Sequence, residues 1–182
     1  MKILISILIS FVGFSAAAET FKVMSSDVKN GGVLTENQVF NSFGCTGKNI
    51  SPELQWKNAP EGTKSFAVTV YDPDAPTGSG WWHWTVANIP ATVTKLDRGA
   101  GGENGKLPDG AVQGRTDFGK PGFGGACPPA GDKPHHYIFT VFALKTDKLE
   151  LGPDASGAMF GYMTNANALA KASLTATFAR KK

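Results

Sequence analysis

The run Tyr137 to Leu144 reads Tyr-Ile-Phe-Thr-Val-Phe-Ala-Leu and is apolar on both faces of a two-residue period. Such a segment predicts a central strand covered on two sides. Phe66, Val68 and Val70 alternate with Ala67, Thr69 and Tyr71, the signature of a second strand, and Trp84 and Val86 continue the pattern beyond His83. Shorter candidates are Phe21 to Met24, Leu54 to Trp56, Ala111 to Gln113 and Leu174 to Phe178. Near the C-terminus, Ala155, Ala158, Met159, Tyr162, Met163, Ala166 and Ala170 recur at helical spacing, with Asp154 or Ser156 as the N-cap. That stripe predicts a core-facing helix whose methionines need no ligand. The connections Pro73 to Gly80, Gly99 to Gly110 and Gly119 to Gly131 are rich in Gly and Pro, and long irregular segments inside a compact domain are often functional. There is no internal repeat and no dividing linker, so the expected architecture is one mainly β domain, an antiparallel β-sandwich with a few short peripheral helices.

Residues 1–18 read differently. Lys2 precedes an apolar stretch from Ile3 to Phe14, and Ala16-Ala17-Ala18 supplies small residues for cleavage. This is the order of a secretory signal and is short for a membrane span, so a buried strand or membrane anchor is the weaker reading. The mature domain is expected to begin at Glu19 and to have no integral membrane segment, and periplasmic residence or secretion follows. No cysteine succeeds Ala18, so a lipid anchor is not expected. Loss of Lys2 lowers the formal charge from +3 to +2, too little and too dispersed for a nucleic-acid surface. Arg180-Lys181-Lys182 is expected to be a solvated tail. In an oxidising compartment Cys45 and Cys127 are expected to pair, closing a long loop and stabilising the fold by about 4 to 5 kcal/mol. Free buried thiols are the alternative, and two separated cysteines make neither a zinc site nor a redox CxxC motif.

Three segments carry polar chemistry: Tyr71-Asp72-Pro73-Asp74-Ala75-Pro76, His83 among Trp81, Trp82 and Trp84, and His135-His136-Tyr137. Asp72 leaves one strand while His83 and His135 enter two others. If those two run in the same sense, all three share a rim, with Tyr137 on the face of His135. Two imidazoles, a phenol and a carboxylate suit a small phosphorylated ligand, the imidazoles and phenol donating to its oxygens. Gly124 and Gly125 would permit close backbone approach, and Pro128 and Pro129 would stiffen a wall. Plainer roles compete: Asp74 as a turn residue, His83 as a satisfied histidine under the tryptophans, His136 facing outward, the tryptophans as core. Asp72, His83 and His135 could in principle ligate a transition metal, but their spacing matches no metal motif, so neither metal nor cofactor is expected. Asp117-Phe118-Gly119 lacks the other kinase motifs, Gly78-Ser79-Gly80 is no nucleophile elbow, and the Asn49-Ile50-Ser51 sequon is a weak signal. No enzyme activity is expected.

Asp72-Pro-Asp-Ala-Pro76, the Trp-bordered His83, and Pro128-Pro129-x-Gly-x-x-x-His135-x-Tyr137 together resemble the phosphatidylethanolamine-binding protein family, in particular the exported type of its bacterial Raf-kinase-inhibitor-like branch. Asn49-Ile-Ser-Pro52 and the helix start Ser156-Gly-Ala-Met159 extend the resemblance over nearly the whole mature chain. It implies a β-sandwich with a small anion pocket near one end, formed here by Asp72, Pro76, His83, Pro128, His135 and Tyr137. It implies a phosphate or phospholipid head group as ligand, a homodimer as the assembly, and, as the competing role, inhibition of a kinase, protease or host signalling protein. His136 departs from the arginine of eukaryotic members, and their C-terminal extension is missing, which argues against membrane and kinase contacts of the eukaryotic type.

Overall fold

The computed structural model describes residues 19–182, so the expected signal segment lies outside the described residues. In chain order the strands are β1 (Lys22–Met24), β2 (Gly32–Val33), β3 (Leu54–Lys57), β4 (Ser65–Asp72), β5 (Trp81–Pro90), β6 (Lys95–Leu96), β7 (Val112–Gln113) and β8 (His135–Leu144). Helix α1 (Gly157–Asn167) follows and leads directly into β9 (Ala168–Phe178). They form a three-stranded sheet, β1-β3-β6, and a six-stranded sheet, β2-β9-β8-β4-β5-β7, antiparallel except for the short β2–β9 pair.

Side chains on one face of the large sheet build the core against the small one. Phe66, Val68 and Val70 of β4, Trp84 and Val86 of β5, and Phe139 and Val141 of β8 meet Leu54, Trp56 and Leu96. On the opposite face, Ala67, Ala87, Phe142 and Leu144 pack against Leu149, Leu151 and Phe160. The double-sided apolar pattern of β8 thus places it centrally, between β4 and β9, as expected. Ala67 and Thr69, which the alternation of β4 assigns to an outer face, are buried too, Ala67 in the cluster that includes Phe160 of the helix.

Helix α1 departs from the expected stripe. Gly157, Phe160 and Thr164 are its buried residues, while Met159 and Tyr162 are 50% and 71% exposed and Ala158 and Ala166 face solvent. Ala170 belongs to β9. The cause is the contact surface: a Cβ at Gly157 would lie 2.0 Å from Trp82 Cγ, and one at Gly161 3.0 Å from the same indole. The helix rests on Trp82 through bare backbone, so its inner face carries few apolar side chains for periodicity to register. Ser156, one of the two expected caps, accepts the Met159 N–H at 3.2 Å.

Two irregularities in the β4–β5 ladder bear on the site. Phe66 pairs with Ile89 and Val68 with Val86, so β5 carries one extra residue there. Within it Asn88 has φ +60° and exchanges side-chain hydrogen bonds with the backbone of Leu149 at 2.8 and 3.1 Å. Val70 pairs with Trp84 but Tyr71 with Trp82, which leaves His83 as a second extra residue without a partner on β4. An extra residue of this kind bends a strand and re-aims its side chains.

Candidate functional site

Because β4 is antiparallel to both β5 and β8, its last residue, Asp72, lies beside the entrances of both. A cavity of about 170 Å³ sits at this rim and is lined by all six expected residues, Asp72, Pro76, His83, Pro128, His135 and Tyr137. Phe43, Trp81 and Phe118 complete much of its apolar wall.

Asp72 is 2% exposed and serves the scaffold. Its Oδ1 accepts the N–H groups of Asp74 and Ala75 at 2.8 and 3.1 Å, fixing the Pro73 to Pro76 turn, and its Oδ2 lies 2.8 Å from His135 Nδ1. His135, buried at 3% exposure, has its Nε2 3.5 Å from Asp132 Oδ2 and so stands between two carboxylates. Asp74 is more than a turn residue: its Oδ2 accepts both the backbone N–H and ring Nδ1 of His136 at 2.7 Å, joining the turn to the start of β8. Partial burial would raise its pKa, but these hydrogen bonds and the nearby histidines hold the carboxyl below the usual range. His136 points outward, as expected.

The bulge turns His83 to the cavity side, where its ring lies edge-on to Tyr137 at a centroid distance of 5.1 Å. Gly124 clamps it from both sides of the peptide: the Gly124 N–H donates to the His83 carbonyl, and His83 Nδ1 donates to the Gly124 carbonyl, each at 2.8 Å. A carbonyl oxygen can only accept, so Nδ1 carries the proton and Nε2 is left without a protein partner. Burial pushes the His83 pKa down, against the opposing pull of the Gly124 and Gly125 backbone and of Asp72 and Asp117. The Tyr137 hydroxyl is likewise buried and unpartnered, and burial together with the charges of Asp72 and Asp74 pushes its pKa up, keeping it protonated. Trp81 Nε1 is a third buried polar atom without a partner on a lining residue.

The three tryptophans therefore divide. Trp81 lines the cavity, Trp82 supports α1 and packs at a tilt against Tyr71, and Trp84 is fully buried core with its Nε1 donating to Gln113 at 2.6 Å. The glycines at 124 and 125 admit the protein's own atoms: added Cβ atoms would lie 2.3 Å from the Phe118 ring and 2.4 Å from the Gln38 carbonyl. Phe118, in the Asp117-Phe118-Gly119 triplet, forms wall, and Asp117 accepts the Trp82 N–H at 2.7 Å. Asn49, with φ +54°, donates to the Phe123 carbonyl and accepts the Gly125 N–H, tying the 123–125 segment in place. Its position in the Asn49-Ile-Ser-Pro52 motif was the available signal.

Cys45 and Cys127 form a disulfide with Cα atoms 5.9 Å apart, and Cys127 reaches the cavity wall. Arg180 is not part of a solvated tail: its Nη1 donates to the Gly44 carbonyl at 2.9 Å and lies 3.1 Å from Cys45 Sγ. Only Lys181 and Lys182 after it are exposed. Among the described residues no cluster of three or more His, Cys, Asp or Glu has the geometry to hold a metal ion, and no helix is long and apolar enough to cross a membrane.

The chain belongs to the phosphatidylethanolamine-binding protein family, whose model matches residues 24–179. It is 61% identical over 177 residues to the UPF0098 protein YbcL of Escherichia coli K12, spanning 97% of each chain. It is 52% identical over 157 residues to YbhB of the same organism, covering 86% of this chain and 99% of YbhB. The crystal structure of E. coli YbcL, described as a member of the mammalian PEBP family, superimposes with a TM-score of 0.87 at 63% identity, over 88% of this chain and 99% of that one.

Proposed function

We propose that this protein is an exported, non-catalytic binding protein that takes a small phosphate-type oxyanion, free or as a phosphorylated head group, into the cavity at the β4–β5–β8 rim. The observation that carries the reading is the set of buried polar atoms left unpartnered on an otherwise largely apolar wall: His83 Nε2, Tyr137 Oη and Trp81 Nε1. Leaving such a group unsatisfied costs about 1–3 kcal/mol, so their grouping around one cavity argues for a polar occupant. The volume suits a phosphoryl-sized group. Neither the Thr77 hydroxyl, which donates to Gly80, nor the Cys127 sulfur, which is bonded to Cys45, is free to act as a nucleophile on the lining. The disulfide supports export, because such bonds persist in oxidising compartments.

Phosphorus NMR of the mature protein titrated with phosphate and phosphoethanolamine tests the reading. Saturable broadening or shift is expected, and its loss in Asp72→Ala and His135→Ala. Unchanged spectra with the wild-type protein would overturn it.

A further inference from the structure

We infer that the cavity selects oxyanions that carry a proton, such as phosphate monoesters in their monoanionic form, over fully deprotonated anions such as sulfate and over phosphodiesters, and that His83 Nε2 is the selecting atom. The inference rests on the oxyanion reading above and narrows it: among phosphorylated head groups a free monoester qualifies, and the phosphodiester of an intact phospholipid does not.

The argument begins with hydrogen-bond polarity. Trp81 Nε1 only donates, and the Tyr137 hydroxyl is free to donate, so two of the unpartnered atoms suit oxyanion lone pairs. His83 Nε2 is the reverse. With Nδ1–H committed to the Gly124 carbonyl, a neutral ring presents a lone pair at Nε2 and cannot rotate its donor into the cavity without breaking the Gly124 bond. An occupant that satisfies all three atoms offers acceptor oxygens together with one O–H. A phosphate monoester monoanion has both; sulfate and a phosphodiester present only acceptors at neutral pH, and set an oxygen lone pair against the nitrogen lone pair.

The surroundings do not remove this restriction by protonating His83 themselves. Its ring is 3% exposed, and burial favours the neutral form. Carboxylates face it from two elements, Asp72 at the end of β4 and Asp117 in the connection after β7, and both favour the charged form. Tyr137 faces it from β8 and is uncharged. His135, Asp132, Asp74 and His136 stand behind Asp72 in their own paired network. The negative groups around the cavity also disfavour a dianion, so the proton is best supplied with the ligand. Above the second pKa of a monoester, about 6, binding then takes up one proton from solvent and affinity falls about tenfold per pH unit.

Calorimetric titration of the mature protein with methyl phosphate, dimethyl phosphate, sulfate and glycerophosphoethanolamine tests this at pH 5.5, 7 and 8, in two buffers of different ionisation heat. Methyl phosphate is expected to bind with uptake of about one proton at pH 8 and almost none at pH 5.5, and sulfate and both diesters at least about tenfold more weakly at pH 7. In His83→Gln, whose side-chain amide can donate from near the Nε2 position, the preference for methyl phosphate over sulfate is expected to collapse. The wild-type comparison decides even if that variant does not fold. Sulfate or either diester binding as tightly as methyl phosphate, without proton uptake, would overturn the inference and leave the oxyanion reading standing. Absence of methyl phosphate binding at every pH would overturn both.

Discussion

His83 couples position, tautomer and burial, and its effect on stability has a definite sign. Burial holds its folded pKa below the ordinary value of about 6.5, so on acidification the unfolded chain binds the proton first. The stability contributed by the neutral buried ring is complete above about 6.5 and is lost as pH falls from there through the folded pKa. Urea midpoints of the ligand-free protein are therefore expected to decline below pH 6.5, with a shallower decline over that interval in His83→Gln. Parallel curves for the two proteins would show that His83 is not a source of the acid limb. The identity of this residue could be read from the chain, because a histidine bordered by tryptophans before a strand is conspicuous. Its donor direction could not, because that depends on Gly124, 41 positions away, presenting a carbonyl to one ring nitrogen. Asp74 shows the same limit: flanking prolines suggest a local turn, whereas its partner His136 is 62 positions distant.

At the level of strands and helices, alternation marks β4 and β5, whose apolar faces meet the three-stranded sheet, and a run apolar on both faces marks β8, which is covered on two sides. It could not reveal that β5 holds extra residues at Asn88 and His83, since an inserted residue only looks like a lapse in period. The helix forms where its spacing predicts, but its buried face differs from the expected stripe for a related reason, with Gly157 and Gly161 against Trp82 where apolar side chains would normally mark that face. Gly157→Ala tests that contact. Its methyl group would raise helix propensity by up to about 1 kcal/mol, but it collides with Trp82, and overpacking of this kind costs about 1–3 kcal/mol. A net destabilisation of about 1–2 kcal/mol is expected in urea unfolding, with perturbed tryptophan fluorescence. A gain in stability would mean that α1 does not bear on the indole. Asn49→Ala tests the loop anchor: losing two hydrogen bonds to the 123–125 backbone and the tolerance of asparagine for positive φ is expected to cost about 2–3 kcal/mol and to weaken phosphate binding by loosening the Gly124 clamp.

Across the whole molecule, the cavity is a junction between distant parts of the chain. The rim comes from β4, β5 and β8, one wall comes from the 118–129 connection, and Phe43 arrives from the segment before β3. The disulfide binds the last two together: Cys45 and Cys127 are 82 residues apart, and beside them the Phe40 N–H donates to the Ala126 carbonyl at 3.0 Å and the Ala126 N–H to the Gln38 carbonyl at 2.9 Å. Arg180 adds the C-terminal segment to this corner through Gly44. Removing the bridge in Cys45→Ala/Cys127→Ala would restore conformational freedom to a loop of that length in the unfolded chain, a cost of about 4–5 kcal/mol in the chain-entropy model. Set against typical domain stabilities of about 5–15 kcal/mol, that loss is a large fraction of the total. Its urea midpoint is expected to drop by about 2 M, given a denaturant slope near 2 kcal/mol/M. Binding should weaken as well, because Phe43 and Pro128 flank the bridged cysteines and the cavity wall between them would no longer be covalently closed. Parallel urea and phosphate titrations of oxidised wild type and the double variant separate the two effects. A lower midpoint with unchanged affinity would confine the bridge to folding, whereas loss of both would make oxidation a condition of ligand binding.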